Sequence, residues 1–343
     1  MTETLSPLPR RSWLRSSARG LTILVLGLAG CGFLYQNISE ARDRRFNAMP
    51  GLMVNIGDAD RSLRMHLQCT GEGSPAVILD SGLGDSYASW RKVQPGIAAY
   101  ARVCSYDRAG IGYSDASARP RDSRTITEEL HLLLGKASVA APYVLVGHSM
   151  GGYDVRVFVA RYRSEVAGVV LVDASHPDQE DRFPPEVKNM ERSWRREAEF
   201  MEFTMPFGIP RLLGLCDEDV VERAADCNFK TARESVEEMK AFSTSAGEAK
   251  AAGSLQDLPL AVVSHDPEKP SADLPADLAK PTNEAWREMQ EELAHLSKRG
   301  TLTIARNSSH YIQNDRPDVV VEAVRNVVNQ ARADRSPESV IKF

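Results

Sequence analysis

The sequence has no basic stripe, no metal-ligand spacing, no internal repeat and no low-complexity tract. Net charge is −5; four Arg and one Glu give the first 20 residues +3 and leave −8 on the rest. An acidic body without a basic stripe argues against a nucleic-acid partner. Charged blocks such as Arg42-Asp43-Arg44-Arg45 are mixed in sign and read as a solvated face. Neither H-E-x-x-H nor a paired C-x-x-C occurs, so no metal is expected. The composition, 42% hydrophobic and 26% charged, is that of a soluble globular protein.

A long hydrophobic run is also missing. The N-terminal apolar stretch, Leu21 to Tyr35, falls short of the roughly 20 residues a spanning helix takes and suits the apolar region of a signal sequence. Arg10, Arg11, Arg15 and Arg19 precede it, and polarity returns at Gln36-Asn37. There is no A-x-A cleavage site. Leu28-Ala29-Gly30-Cys31 instead resembles a bacterial lipobox, in which Cys31 is acylated after cleavage; an uncleaved signal anchor is the alternative. Arg10-Arg11-Ser12-Trp13-Leu14-Arg15 loosely resembles a twin-arginine signal. Each reading implies export and attachment to a membrane at the cell envelope, on its periplasmic or extracellular face. Cysteine is scarce, with five in the chain. Setting Cys31 aside, the placement of the other four predicts disulfides Cys69–Cys104 and Cys216–Cys227, which fits an oxidising compartment.

What is present is an alternation of short apolar runs and helical patterns. Strands are expected at 51–57, 62–69, 76–80, 102–106, 143–146, 168–172, 260–264 and 302–305. A turn at Gly57-Asp58-Ala59-Asp60 joins the first two. Helices are expected at 87–100, 125–137, 283–296 and 319–328. Continuous apolar strands separated by helices predict an α/β fold with a mostly parallel sheet covered on both faces. Residues 1–35 form the signal, lipoprotein or anchor segment; 50–175 and 258–332 form the core. Between them, 176–257 is charged and helical and reads as a lid over the C-terminal strand ends, where open α/β sheets bind ligands. Its Phe183, Met190, Trp194, Phe200, Met201, Phe203, Met205 and Phe207 are candidates for an apolar wall or for packing of the lid onto the body.

The chemistry concentrates at Gly147-His148-Ser149-Met150-Gly151, between the apolar run 142–146 and a helical pattern from Gly152. Strand, G-x-S-x-G, helix is the context of a nucleophile elbow, which presents a serine hydroxyl on a sharp turn. A serine needs a base, because its free hydroxyl barely ionises at neutral pH. His310 directly follows the last strand, on the same sheet edge as Ser149, and is the expected base. His176 and His265 also follow strands; His66, His131 and His295 read as structural, and His148 points away from the attack line. The acid that orients the imidazole is expected at Asp173, ending strand six, with Asp266 or Glu268 after strand seven as the alternative. Oxyanion donors are expected from the N–H of Met150 and, in the loop Ser81-Gly82-Leu83-Gly84, the N–H of Leu83.

With these motifs in place, the chain resembles an α/β-hydrolase-fold serine hydrolase of the esterase, haloperoxidase and epoxide-hydrolase branch. Asp107-Arg108-Ala109-Gly110-Ile111-Gly112-Tyr113-Ser114 matches that branch's D-R-x-G-x-G-x-S loop. The resemblance covers roughly residues 60–330 and implies an eight-stranded sheet, a helical cap after strand six and no cofactor. Two departures stand out: Ser81-Gly82 replaces the branch's His-Gly, and its G-x-x-D after strand seven is absent, with His265 at the glycine and Glu268 at the acid. Serine rather than a carboxylate at the elbow excludes the epoxide-hydrolase and dehalogenase chemistries. The expectation is an exported carboxylic-ester hydrolase acting on a small-molecule ester with an apolar group. An amidase, lactonase, acyltransferase or cofactor-free haloperoxidase on the same triad is one alternative, and a non-catalytic envelope binding protein is another.

Overall fold

The structure is a computed structural model that describes residues 10–57, 62–269 and 274–335. The expected turn at Gly57-Asp58-Ala59-Asp60 lies largely outside the described residues, as do residues 1–9 of the N-terminal segment. Strands β1 (Leu52–Asn55), β2 (Arg64–Thr70), β3 (Ala76–Asp80), β4 (Val103–Tyr106), β5 (Tyr143–His148), β6 (Val166–Val172), β7 (Leu260–His265) and β8 (Gly300–Ala305) form an eight-stranded sheet. Their order is β1-β2-β4-β3-β5-β6-β7-β8. The pairs β1–β2 and β2–β4 are antiparallel; the rest are parallel.

The central strands are mostly apolar because both faces are covered, whereas the outer strands β1, β2 and β8 keep exposed positions. β3, β4 and β5 are buried at every position. Alternate residues serve opposite cores. Ile78, Leu145 and Leu171 point into one, with Leu133 and Phe158 of the helices there. Val77, Val144 and Val170 point into the other, with Trp90 and Val324. The period of two is that of the pleat.

In chain order the helices are α1 (Arg10–Phe46), α2 (Gln94–Ala98), α3 (Ser123–Lys136) and α4 (Gly151–Arg161), then α5 (Gln179–Arg182), α6 (Pro185–Thr204), α7 (Ile209–Leu212), α8 (Val220–Asp226) and α9 (Phe229–Ala251). After β7 come α10 (Ala276–Ala294), α11 (Ile312–Asp315) and α12 (Pro317–Asp334). Helices α5 to α9 thus form an insertion between β6 and β7. The helix expected over 87–100 is instead a short 3-10 turn, Tyr87–Trp90, followed by α2. Pro95 lacks an N–H and its ring excludes a helical turn before it, so the segment restarts there.

The N-terminal helix outruns the apolar stretch that predicted it. Gln36-Asn37 does not end it; α1 continues to Phe46, and a 30-residue portion, Ser17–Phe46, is long and apolar enough to cross a membrane. Polar residues continue the helix because they occupy one stripe. Gln36, Glu40 and Asp43 recur at helical spacing, with Gln36 buried. The Gln36 Nε2 donates to the Cys227 carbonyl at 3.2 Å, and Asp43 accepts from Arg211 Nη1 at 2.6 Å.

Both expected disulfides are present. Cys69 and Cys104 are register partners on β2 and β4, and Cys216 is bridged to Cys227 within the insertion. Loops closed over 35 and 11 residues should contribute roughly 3–4 kcal/mol each by the chain-entropy relation. In denaturant without reductant, no more than one thiol, Cys31, is therefore expected to titrate. Four more should appear after reduction, and four or more beforehand would refute both bridges.

Candidate active site

The site is set by adjacent strand ends. His148 on β5 is the register partner of Val172 on β6, so the residues that follow, Ser149 and Asp173, leave the sheet side by side. Both turn sharply into the left-handed region, with φ of 51° at Ser149 and 42° at Asp173. Non-glycine residues enter that region at a cost on the order of 1–3 kcal/mol. Backbone bonds hold the turn: Ser149 N–H donates to the Val172 carbonyl at 3.2 Å, and Ser175 N–H donates to the Ser149 carbonyl at 2.9 Å. The flanking glycines leave room for the crossing. A Cβ at Gly147 would strike the Gly151 carbonyl, and one at Gly151 would lie 2.7 Å from the carbonyl oxygens of Asp80 and Ser81.

The Asp173 carboxylate is fully buried and is met by four donor groups. His310 Nδ1 lies 2.6 Å from Oδ2. His265 Nδ1 lies 2.8 Å from the same oxygen, and the His265 N–H donates to Oδ1 at 3.0 Å. Trp286 Nε1 donates to Oδ1 at 2.9 Å. Burial opposes ionisation, but His265 and His310 outweigh it and hold the carboxyl far below the ordinary carboxylate range. Burial likewise opposes a charge on His265, and the carboxylate overcomes it, so the His265 pKa is raised.

The two alternative acids are elsewhere engaged. Asp266 accepts from the Asn307 N–H at 2.9 Å and from Arg306 Nη1 at 3.3 Å. The Glu268 side chain is 83% exposed. His310 itself sits beside the elbow: its carbonyl is 3.0 Å from His148 Nε2, and the two rings are 4.7 Å apart. His148 is buried, and burial with the neighbouring His310 pushes its pKa down to about 3. His148 is therefore neutral and holds the His310 loop.

The remaining four histidines have other partners. His66 bonds Asp107 at 2.8 Å, His131 stacks on Tyr162 at 3.8 Å, His176 lies 3.4 Å from Glu292, and His295 Nδ1 lies 2.7 Å from the Glu291 carbonyl.

Met150 is the N-cap of α4, at the end where N–H groups have no partner within the helix. Its side chain is buried in one apolar cluster with Tyr153, Ala246 and Ala249, and Leu83 and Phe242 pack against that cluster. The insertion helix α9 thus fixes both of the positions expected to supply oxyanion donors. It does so a second time through charge. Arg108, from the D-R-x-G-x-G-x-S loop, is buried; it donates to Glu238 on α9 at 2.7 and 3.0 Å, to Asp80 at 3.1 Å and to the Ser81 carbonyl at 2.8 Å. Glu238 in turn accepts the Gly84 N–H at 2.8 Å. Burial pushes the Asp80 carboxyl up to about 6.

Removing one partner of a buried ion pair leaves an uncompensated charge. Glu238→Leu is accordingly expected to destabilise the fold by about 3 kcal/mol in urea unfolding. Lys240→Ala, exposed on the same helix, should stay within about 0.5 kcal/mol.

Several contacts were beyond the reach of sequence reasoning. Trp286 and Glu238 come from helices whose local pattern says nothing about β6 or the β3 loop. His265 carried a weak signal, since it ends a strand on the same edge. The aromatic residues of the insertion divide. Phe183 is buried on Trp286, with rings 5.9 Å apart, and Met205 is buried. Trp194, Phe200 and Phe203 are exposed and so are not among those that pack the insertion onto the body. A hollow lined by Ser254, Asp257, His295 and Lys298 lies at the opposite, N-terminal edge of the strands.

Comparison with known proteins agrees with this architecture. An uncharacterized protein of Schizosaccharomyces pombe is 25% identical over 85% of this chain, which spans 58% of that protein's length. The uncharacterized protein YqjL of Bacillus subtilis is 26% identical, over 75% of this chain and 85% of its own. A 2-hydroxy-6-oxononadienedioate/2-hydroxy-6-oxononatrienedioate hydrolase of Escherichia coli is 28% identical over 40% of this chain and 47% of its own. Among solved structures, an esterase from Thermogutta terrifontis superposes with a TM-score of 0.55 at 19% identity, over 82% of this chain and 98% of its own. A bromoperoxidase from Bacillus anthracis superposes with a TM-score of 0.58 at 19% identity, over 81% and 99%. The profile of the alpha/beta hydrolase family matches residues 77–323. Sheet order, elbow and profile lead to one assignment: the chain belongs to the alpha/beta hydrolase family.

Proposed function

We propose that this protein is an exported serine hydrolase that cleaves carboxylic esters through an acyl-enzyme intermediate, attached to the membrane of the cell envelope by its N-terminal segment. The observation that carries the reading is the pairing of His310 with the buried, ionised Asp173 beside a serine held at positive φ. In the proposed sequence, Ser149 Oγ attacks the ester carbonyl while His310 Nε2 takes its proton. Asp173 accepts the Nδ1–H and stabilises the imidazolium. The oxyanion is held by the N–H groups of Met150 and Leu83, the former aided by the positive end of α4. His310 then protonates the leaving alkoxide, and a water activated by the same imidazole releases the acid. No step requires a cofactor.

Export is supported by the two disulfides and the bare apolar helix. The test is a panel of p-nitrophenyl esters, anilides and lactones on the purified full chain in detergent. A burst of p-nitrophenol equal to the enzyme concentration, with esters turned over at least about 100-fold faster than anilides, is expected. Preference for anilides or lactones would replace the ester reading by a sibling activity. Absence of any burst, together with no fluorophosphonate labelling, would leave a binding protein.

A further inference from the structure

The helical insertion carries an apolar surface that the proposed chemistry leaves unused. Phe203 is 74% exposed at the end of α6, and Leu212, Leu213 and Leu215 on and after α7 are 67%, 60% and 53% exposed. These residues are contiguous with α1. The Phe203 ring lies 6.4 Å from that of Phe207. Phe207 in turn packs so closely on α1 that a Cβ at Gly32 would strike its carbonyl. Gly208, the residue from which α7 starts, packs against Tyr35 of α1. Arg211 on α7 pairs with Asp43, and Cys227 accepts from both Gln36 and Arg211. The tip of the insertion is thus clamped to the side of α1 over residues 32–43.

That clamp fixes how deep the tip sits. The part of α1 projecting clear of the insertion, Leu21 to Leu28, is exposed and apolar. At 1.5 Å per residue it covers only about 12 Å, well short of the ~30 Å hydrocarbon thickness of a bilayer. Exposed apolar residues continue at Phe33, Leu34 and Ile38. Counting from Leu21 to Ile38 gives about 27 Å. A bilayer that accommodates this helix therefore reaches the level of Gly32 to Ile38, which is the level of Phe207 and Gly208. An anchor acylated at Cys31 sets the interface one residue from Gly32, which packs against Phe207.

We infer that the tip of the insertion, Phe203, Phe207, Leu212, Leu213 and Leu215, is a membrane-docking surface that enters the lipid bilayer around the foot of α1. The occupant is lipid, and the inference rests on the membrane-attached reading above. The hydrolase body is then not tethered at a distance. It lies against the bilayer through the insertion whose α9 packs on the Leu83 and Met150 positions, so lipid contact and the site share one structural element. An apolar face with a bound edge in the interface is the arrangement of a monotopic protein.

The experiment uses the full chain in phosphatidylcholine–phosphatidylglycerol vesicles, with p-benzoylphenylalanine introduced singly at positions 203, 213, 33 and 132. Position 33 reports α1; Leu132, 44% exposed on α3, reports an apolar residue of the body. After irradiation, lipid adducts are counted by mass spectrometry. Adduct yields at 203 and 213 should match that at 33 and exceed that at 132 at least tenfold. Adducts at 33 with yields at 203 and 213 no higher than at 132 would overturn the docking surface while leaving the anchor intact. No adducts at 33, 203 or 213 would overturn the membrane-attached reading and the inference with it.

Discussion

Ser149→Ala is expected to lower ester turnover at least about 10⁴-fold while leaving the fold intact. The hydroxyl is the atom that forms the acyl bond, so its loss removes the burst together with steady-state turnover, and no neighbouring side chain replaces it. Residual hydrolysis from positioning and the oxyanion donors sets the floor. An unchanged rate would end the mechanism. The same position supports a sharper expectation. At φ of 51° the backbone carries strain that glycine does not feel. Ser149→Gly should therefore be as inactive as Ser149→Ala yet more resistant to urea, by about 1 kcal/mol. A serine retained at a strained position is explicable by chemistry and not by stability. If Ser149→Gly proves less stable than the parent, strain at the turn is not being held for function.

Much of this arrangement is legible in the sequence because it follows short-range rules. Strand followed by G-x-S-x-G and a helix specifies a turn in which at least the first glycine is demanded by a contact four residues away, Gly147 against the Gly151 carbonyl. The sheet is legible for a similar reason: strands covered on both faces are mostly apolar, and β5 and β6 stand out as runs rich in Val and Leu. Asp173 is the first polar residue after such a run, and this marks it as a strand-end carboxylate.

What the sequence does not reveal is which partners converge on it. His265 occupies a place where the family resemblance expects glycine, and Trp286 belongs to a helix with a plain amphipathic pattern. Both reach Asp173 only through the pairing of β7 with β6 and the packing of α10 on β7. Glu238 reads as an ordinary charge on a solvated helix, yet it is buried because α9 lies across the β3 loop with Arg108 beneath it. The continuation of α1 past Gln36 is hidden too, since a polar stripe on an apolar helix acquires meaning only once Arg211 and the Cys227 carbonyl are beside it.

Asp173→Asn is expected to reduce kcat about 10⁴-fold, whereas Asp266→Asn and Glu268→Gln should each stay within about threefold of the parent. The asymmetry follows from geometry. Among the described residues, Asp173 is the one carboxylate within hydrogen-bond reach of His310 Nδ1, and an amide there can present its N–H₂ to the ring and select the wrong tautomer. Asp266 braces the 306–307 loop and not the His310 ring, accepting from Arg306 on one oxygen and from the Asn307 N–H on the other, and an asparagine oxygen keeps one of these bonds.

The substitution also predicts a change in acid stability. The folded carboxyl of Asp173 is depressed, so it contributes stability that is complete above the unfolded carboxyl's pKa of about 4 and is lost as pH falls below it. His265 runs the other way: its pKa is raised, so its contribution is complete below about pH 6.5 and declines as pH rises through the folded value. Replacing Asp173 by Asn removes the cause of both. Urea midpoints measured from pH 3 to 9 should fall less steeply toward acid in Asp173→Asn than in the parent, and should lose the decline above pH 6.5. An altered pH profile combined with an unchanged kcat would show that Asp173 is a structural strand-end carboxylate. An equal loss of kcat in Asp266→Asn would move the acid to the loop after β7.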